Sequence, residues 1–208
     1  IIGRGFPVTN TTSGFIGTNG DKFVDQVTLD ISMSNSYEVG TLEAKAKIFT
    51  SQLSHIHEAL EKLIRDPSGC FEQTSSTTYP LVMALILMKN LPEKTPEISQ
   101  MMMEGTKKLQ TGYDRLLTFE TSSGGYEWFG ESPGHEALSA YGLMQFHEMK
   151  DILSSVDQGM IDRLQKWIMD RRDGKGAFKM SENGLDSFGR PPPDLSDAYI
   201  LWVLTSVG

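Results

Sequence analysis

The sequence predicts a mainly α fold: a stack of helical hairpins preceded by a short antiparallel β segment. Two observations carry this. The hydrophobic period changes near Ser51 from two residues to that of a helix, and two stretches in the second half repeat one another at a spacing near 50 residues. Composition sets the scale, since 208 residues with 38% apolar content can bury a sizeable core.

Residues 1–20 are rich in Gly, Thr, Ser and Asn, offer a turn at Asn19-Gly20, and read as an irregular lead-in. Val27, Leu29, Ile31 and Met33 then alternate with Thr28, Asp30 and Ser32, the period of a half-buried strand. Leu42, Ala44, Ala46 and Ile48 repeat that alternation after a turn-like stretch, so residues 1–48 are expected to end in two paired strands. From Ser51 onward Leu53, Ile56, Leu60, Leu63 and Ile64 share one helical face, which stops at Asp66-Pro67-Ser68-Gly69. The next helix is expected to start among Thr74 to Ser76, to turn Tyr79, Val82 and Leu85 inward, and to end at Asn90-Leu91-Pro92. Residues 49–208 thus read as one helical domain.

The repeat is the strongest sign of architecture. Leu116-Leu117, Ser123-Gly124-Gly125-Tyr126 and Leu138-Ser139-Ala140-Tyr141 correspond to Trp167-Ile168, Gly174-Lys175-Gly176-Ala177-Phe178 and Leu195-Ser196-Asp197-Ala198-Tyr199. Tyr126 and Phe178 are 52 residues apart, Tyr141 and Tyr199 58. Each unit reads as a helix, a glycine turn followed by an aromatic, a loop of variable length, and a second helix. Such hairpins bury their apolar faces only against neighbours or by closing into a ring. The glycines are expected to allow a tight left-handed exit and the aromatic to cap the core.

Charge and apolar runs exclude several classes. With 19 basic against 27 acidic residues the net charge is -8, which argues against a hold on a nucleic-acid backbone. The run Leu81 to Met88 is core-sized before Lys89 interrupts it, far short of the roughly 20 residues of a membrane span. One cysteine makes no internal disulfide. Asn10-Thr11-Thr12 fits a glycosylation acceptor and adds slight weight to secretion. Starting at Ile1 without a methionine or leader, the chain is expected to be a mature piece or an excised fragment.

The chemistry concentrates in Gly69-Cys70-Phe71-Glu72-Gln73. A thiol and a carboxamide three residues apart can condense: the thiolate attacks the Gln73 side-chain carbonyl, ammonia leaves, and a ring closes through a thioester. A lone cysteine is most often a small buried hydrophobe. The flanking residues reverse that reading, because the string recurs by chance on the order of once in several thousand cysteines. The unpaired N–H groups of a helix start favour a thiolate during closure and an oxyanion during attack on the ring.

Ser68-Gly69-Cys70-Phe71-Glu72-Gln73-Thr74 and the apolar helix after it resemble the thioester region of the alpha-2-macroglobulin and complement family. So do Gly112-Tyr113-Asp114-Arg115-Leu116-Leu117, Gly124-Gly125-Tyr126-Glu127-Trp128-Phe129-Gly130, Leu138 to Gly142, and Trp167 with Asp173 to Phe178. The resemblance implies an α/α toroid for residues 49–208, possessing fewer hairpins than the family's ring, and a CUB-like region for residues 1–48. It implies that Cys70 supplies the sulfur and Gln73 the acyl carbon. The family usually has glycine where this chain has Phe71, so the phenyl ring is expected to add bulk beside the thioester. Asp186 falls at the position that tunes reactivity, with Ser187 the near alternative, where hydroxyl-preferring complement members carry histidine. Without a histidine to form an acyl-imidazole, direct attack by amines such as lysine is expected.

The resemblance then implies a single-turnover trap rather than an enzyme: the thioester domain of a protease inhibitor, secreted or, in a bacterium, periplasmic. Its partners are target proteases, bound covalently, and neighbouring domains of the parent protein; no cofactor, metal or nucleic acid is called for. A complement-like opsonin is the near alternative, made less favoured by Asp186. Two other classes remain open, an α/α-toroid enzyme and a helical binding module in which Cys70 stays a free thiol. Enzymes of that shape need zinc ligands or a carboxylate pair, and neither stands out. Tyr79, Tyr126, Trp128 and Phe129 are candidates to shield the ring, although each reads first as ordinary core. His55 and His57 point to different helix faces, His147 reads as a surface or satisfied polar residue, and His135 lies in the loop after the aromatic cluster, from which it could approach the ring, a point the sequence leaves open.

Overall fold

The computed structural model describes residues 6, 8–19, 22–32, 37–48, 59–92, 94–181 and 192–208. The chain divides into two compact units, Ile1–Ile48 and Phe49–Gly208.

In the first unit the strand expectation is corrected. The paired strands are β1 (Gly17–Asn19) and β2 (Lys22–Val24), antiparallel with Thr18 opposite Phe23, in the stretch read as an irregular lead-in. The described residues of 27–32 and 42–48, expected as strands, form no ladder. Alternation makes a strand only where the apolar side has something to cover. Val27, Leu29, Ile31, Leu42 and Ile48 are all exposed, and among the described residues of this unit none joins the buried core.

The second unit is mainly α, as predicted. Most of the helix expected from Ser51 lies outside the described residues; residues 59–61 are helical and Leu60 is buried. Five helices follow: α1 (Phe71–Lys89), α2 (Pro96–Leu117), α3 (Glu136–Met149), α4 (Gln158–Asp170) and α5 (Pro193–Val207). Helices α1, α3 and α5 pack side by side, α2 packs behind α1, and α4 behind α3. Alternation between an inner and an outer row is the arrangement of an α/α toroid.

The apolar patterns of α2, α3 and α4 match the rows they occupy, whereas α5 buries one stripe, Ser196, Ile200, Val203 and Leu204, and leaves Leu201 and Trp202 exposed. Outer helices meet the core on one side only. Accordingly α2 buries a single stripe, Ile98, Met101, Gly105, Leu109, Gly112, Tyr113 and Leu116, and α4 buries Met160, Ile161, Leu164 and Ile168. Inner α3 is covered on several sides and buries Ser139, Ala140, Gly142, Leu143 and Gln145 around its circumference. Starts are set by caps: Thr95 Oγ1 accepts from the Ile98 N–H at 3.3 Å ahead of Pro96, and the Asp157 carboxylate accepts from Gly159 and Met160 at 2.9 and 3.1 Å.

The sequence repeat is also a structural one. Tyr126 bridges Glu120, and Phe178, 52 residues on, bridges Arg172. The Thr121 N–H donates to the Gly125 carbonyl at 2.9 Å, and the Asp173 N–H to the Ala177 carbonyl at 3.0 Å. Each turn is then tied to the helix after it: the Tyr126 N–H donates to Ser139 Oγ at 2.8 Å, and the Phe178 N–H to Asp197 Oδ1 at 3.0 Å. Gly124 and Gly125 have φ of +85° and +75°, the left-handed exit expected of them. The Trp167 ring lies against both, so a Cβ would meet it at 2.6 and 2.7 Å.

Ser139 is fully buried, so Ser139→Ala strands the Tyr126 N–H away from water. We expect a loss of about 1–3 kcal/mol in urea unfolding, and a loss near zero would show that the tie contributes nothing.

Candidate acyl-transfer site

The segment before α1 is shaped by glycine. Gly69 turns the chain with φ +84°, and Cys70 follows in extended backbone with φ -73° as the N-cap of α1. The helix starts at Phe71, three residues earlier than the Thr74 to Ser76 expected. Two anchors draw it forward. Phe71 is fully buried, with its ring 5.2 Å from that of Tyr126 and 6.1 Å from that of Phe119, and its N–H donates to the Trp128 carbonyl at 2.9 Å. Phe71 therefore adds its bulk to the core rather than beside Cys70. It reaches inward because Gly142 has no side chain there; a Cβ on Gly142 would stand 2.9 Å from Phe71 Cζ.

Cys70 and Gln73 occupy the N-cap and N3 positions of α1 and form a reciprocal capping box. The Cys70 side chain faces the backbone N–H of Gln73, and the Cys70 N–H donates to Gln73 Oε1 at 3.2 Å. The thiol is half-buried and free. The Gln73 side chain folds back over the glycine before the cysteine: a Cβ at Gly69 would lie 2.0 Å from Gln73 Oε1 and 2.9 Å from its Cδ. The glutamine lies here because position 69 has no side chain. Thiol, carboxamide and the Cys70 N–H thus share one helical turn.

The surroundings sort the remaining candidates. Trp128 donates through Nε1 to Glu72 Oε2 at 3.1 Å, and its ring packs 4.8 Å from that of His135. Glu72 is thus tied to an indole rather than simply solvated, and among the candidate shields Trp128 is hydrogen-bonded to Glu72 while Tyr126 packs on Phe71. Tyr126 is fully buried core, and Phe129 is exposed. Tyr79 donates to Glu148 Oε1 at 3.1 Å and packs edge-on against Tyr141; burial, then the Glu148 carboxylate, pushes its hydroxyl pKa well above the ordinary value. His135 caps α3 by accepting from the Leu138 N–H at 3.2 Å through Nδ1, and it reaches the Trp128 ring. His147 lies half-buried in the last turn of α3. Asp186, Ser187, His55 and His57 lie outside the described residues.

Sequence reasoning did not read the cysteine and glutamine as a cap. The signal was present: Cys-x-x-Gln is the capping-box spacing with sulfur in place of the usual hydroxyl.

Inner and outer helices thus alternate, and a cysteine and a glutamine cap the first complete inner helix. The family model described as the A-macroglobulin TED domain matches residues 42–187, and the chain belongs to that family. Thioester-containing protein 1 allele R1 of Anopheles gambiae is 17% identical over 150 residues, covering 72% of this chain and 11% of that protein. Alpha-2-macroglobulin of Thermotoga maritima is 27% identical over 133 residues, covering 60% of this chain and 8% of the relative. Among solved structures, Salmonella alpha-2-macroglobulin reacted with methylamine aligns over 73% of this chain and 10% of its own, at 20% identity and a TM-score of 0.49. The chain spans about a tenth of the length of these relatives. No helix among the described residues is long and apolar enough to cross a membrane.

Proposed function

We propose that residues 49–208 form a domain that stores an acyl group as a Cys70–Gln73 thioester and transfers it to amines. Within its full-length protein the domain covalently traps proteases through their lysine side chains, outside the cell or in the periplasm. Residues 1–48 belong to a preceding, CUB-like region. The observation that carries this reading is the reciprocal cap, in which the Cys70 N–H already donates to Gln73 Oε1 at 3.2 Å.

The chemistry follows from that contact. The Cys70 thiolate attacks Cδ of Gln73, negative charge develops on Oε1, and the Cys70 N–H stands where that charge appears. The C–N bond then breaks, and ammonia leaves carrying the proton that the thiol gave up. In the transfer step an amine attacks the same carbon and the C–S bond breaks. The amine's proton passes to the departing sulfur, leaving an amide at Gln73 and a free thiol at Cys70. Asp186, at the tuning position, offers no acyl relay, which favours direct attack by amines over hydroxyls. Each molecule reacts once, so the protein is consumed as an inhibitor instead of turning over.

The test is intact mass combined with methylamine titration of the full-length protein. A closed ring lowers the denatured mass by one ammonia and conceals the thiol; methylamine then releases one titratable thiol per chain and leaves a methylamide at Gln73. A thiol that is fully titratable before any amine is added defeats the proposal and leaves a binding module with a free cysteine.

A further inference from the structure

We propose that Arg115 is a positioning residue for this acyl chemistry, acting on the Gln73 carbonyl through the peptide bond between Gly69 and Cys70. The inference rests on the thioester reading above and assigns it a charged group outside the Cys70–Gln73 pair.

The guanidinium of Arg115, near the end of α2, donates to the Gly69 carbonyl through both Nε, at 3.1 Å, and Nη2. Its Nε also donates to Thr74 Oγ1 at 3.2 Å, and that fully buried threonine's hydroxyl lies 3.2 Å from the Ser68 carbonyl. The guanidinium carbon stands 5.6 Å from the centre of the Phe119 ring, which limits where it can move.

The Gly69 carbonyl and the Cys70 N–H belong to one planar peptide unit, and in a trans peptide they point in opposite directions. Arg115 holds one end while the other end donates to Gln73 Oε1 at 3.2 Å. Two consequences follow. Gripping the carbonyl fixes the plane, and so aims the N–H, at a glycine whose φ of +84° leaves the backbone otherwise permissive. A cation on the carbonyl oxygen also draws electron density along the amide, making its N–H a stronger donor to an oxygen that gains charge. Arg115 never touches the reacting atoms. It biases the ring-closing and ring-opening steps alike, because both place negative charge on Oε1.

Removing a direct oxyanion donor costs about a hundredfold or more in rate, and a group acting through one peptide bond should cost less, about tenfold. The experiment compares wild type, R115Q and R115K in the full-length protein. It reads the fraction with the ring closed by intact mass, the rate of methylamine-triggered thiol release, and the thermal midpoint. We expect R115Q to release thiol about tenfold more slowly and to close fewer rings, with R115K intermediate because it keeps the charge but loses the fork. A purely structural role would shift the thermal midpoint and leave the rate of the folded fraction unchanged. An R115Q rate within about twofold of wild type overturns the inference. Should R115Q fail to fold, R115K decides alone: a slower release supports the role and a wild-type rate removes it. A wild-type protein with no concealed thiol sinks the thioester reading and this inference with it, whereas a closed ring in wild type and an equally reactive one in R115Q removes Arg115 only.

Discussion

Cys70→Ser should abolish amine incorporation at Gln73 while leaving the helical domain at least as stable as the parent. A serine hydroxyl at its ordinary pKa is a far poorer nucleophile than a thiolate, so the Gln73 carbonyl has nothing to condense with and the carboxamide persists. The fold should not suffer, because Cys70 is the N-cap of α1 and serine is among the preferred residues there. We expect a stability change between zero and a gain of about 1 kcal/mol in chemical denaturation, a mass equal to that of the full sequence with no ammonia lost, and no incorporation of labelled methylamine. Labelled amine found at Gln73 in this variant would mean that the acyl group is activated by something other than Cys70.

Gly69→Ala should both destabilise the domain and prevent ring closure. Its φ of +84° is a conformation that costs an L-residue about 1–2 kcal/mol. The added carbon would also stand 2.0 Å from Gln73 Oε1, so the side chain must swing off the position in which it accepts from the Cys70 N–H. The two effects separate experimentally. Backbone strain appears as a lowered unfolding midpoint, and the displaced glutamine as a titratable Cys70 thiol in protein that remains folded. A folded Gly69→Ala variant with its thiol concealed would show that Gln73 reaches Cys70 by a route that does not cross position 69.

Much of the helical unit was legible because its determinants are local. The helix that turns Val82 and Leu85 inward carries its period in the chain itself, and the duplicated turns at Tyr126 and Phe178 carry their glycines with them. The errors fell where the outcome depends on distant residues. Val27, Leu29 and Ile31 alternate as a strand would, yet all three are exposed, and among the described residues no apolar layer covers them. The start of α1 moved forward to Phe71 because Gly142 and the Trp128 carbonyl, both far along the chain, receive that residue's ring and N–H.

The site divides the same way. Cys70 and Gln73 are three residues apart, and their chemistry is a property of the two side chains, so the sequence by itself determined that a thioester could form and which atoms would form it. Only the tertiary structure decided how the pair is held. It set the thiol and the carboxamide as a reciprocal cap, passed Gln73 over a bare Gly69, sent Phe71 into the core, and brought Arg115 from 46 residues away onto the Gly69 carbonyl. The physical reason is range: bond-forming reactivity needs only neighbours along the chain, whereas the orientation of a peptide plane and the burial of a ring depend on which helices pack together.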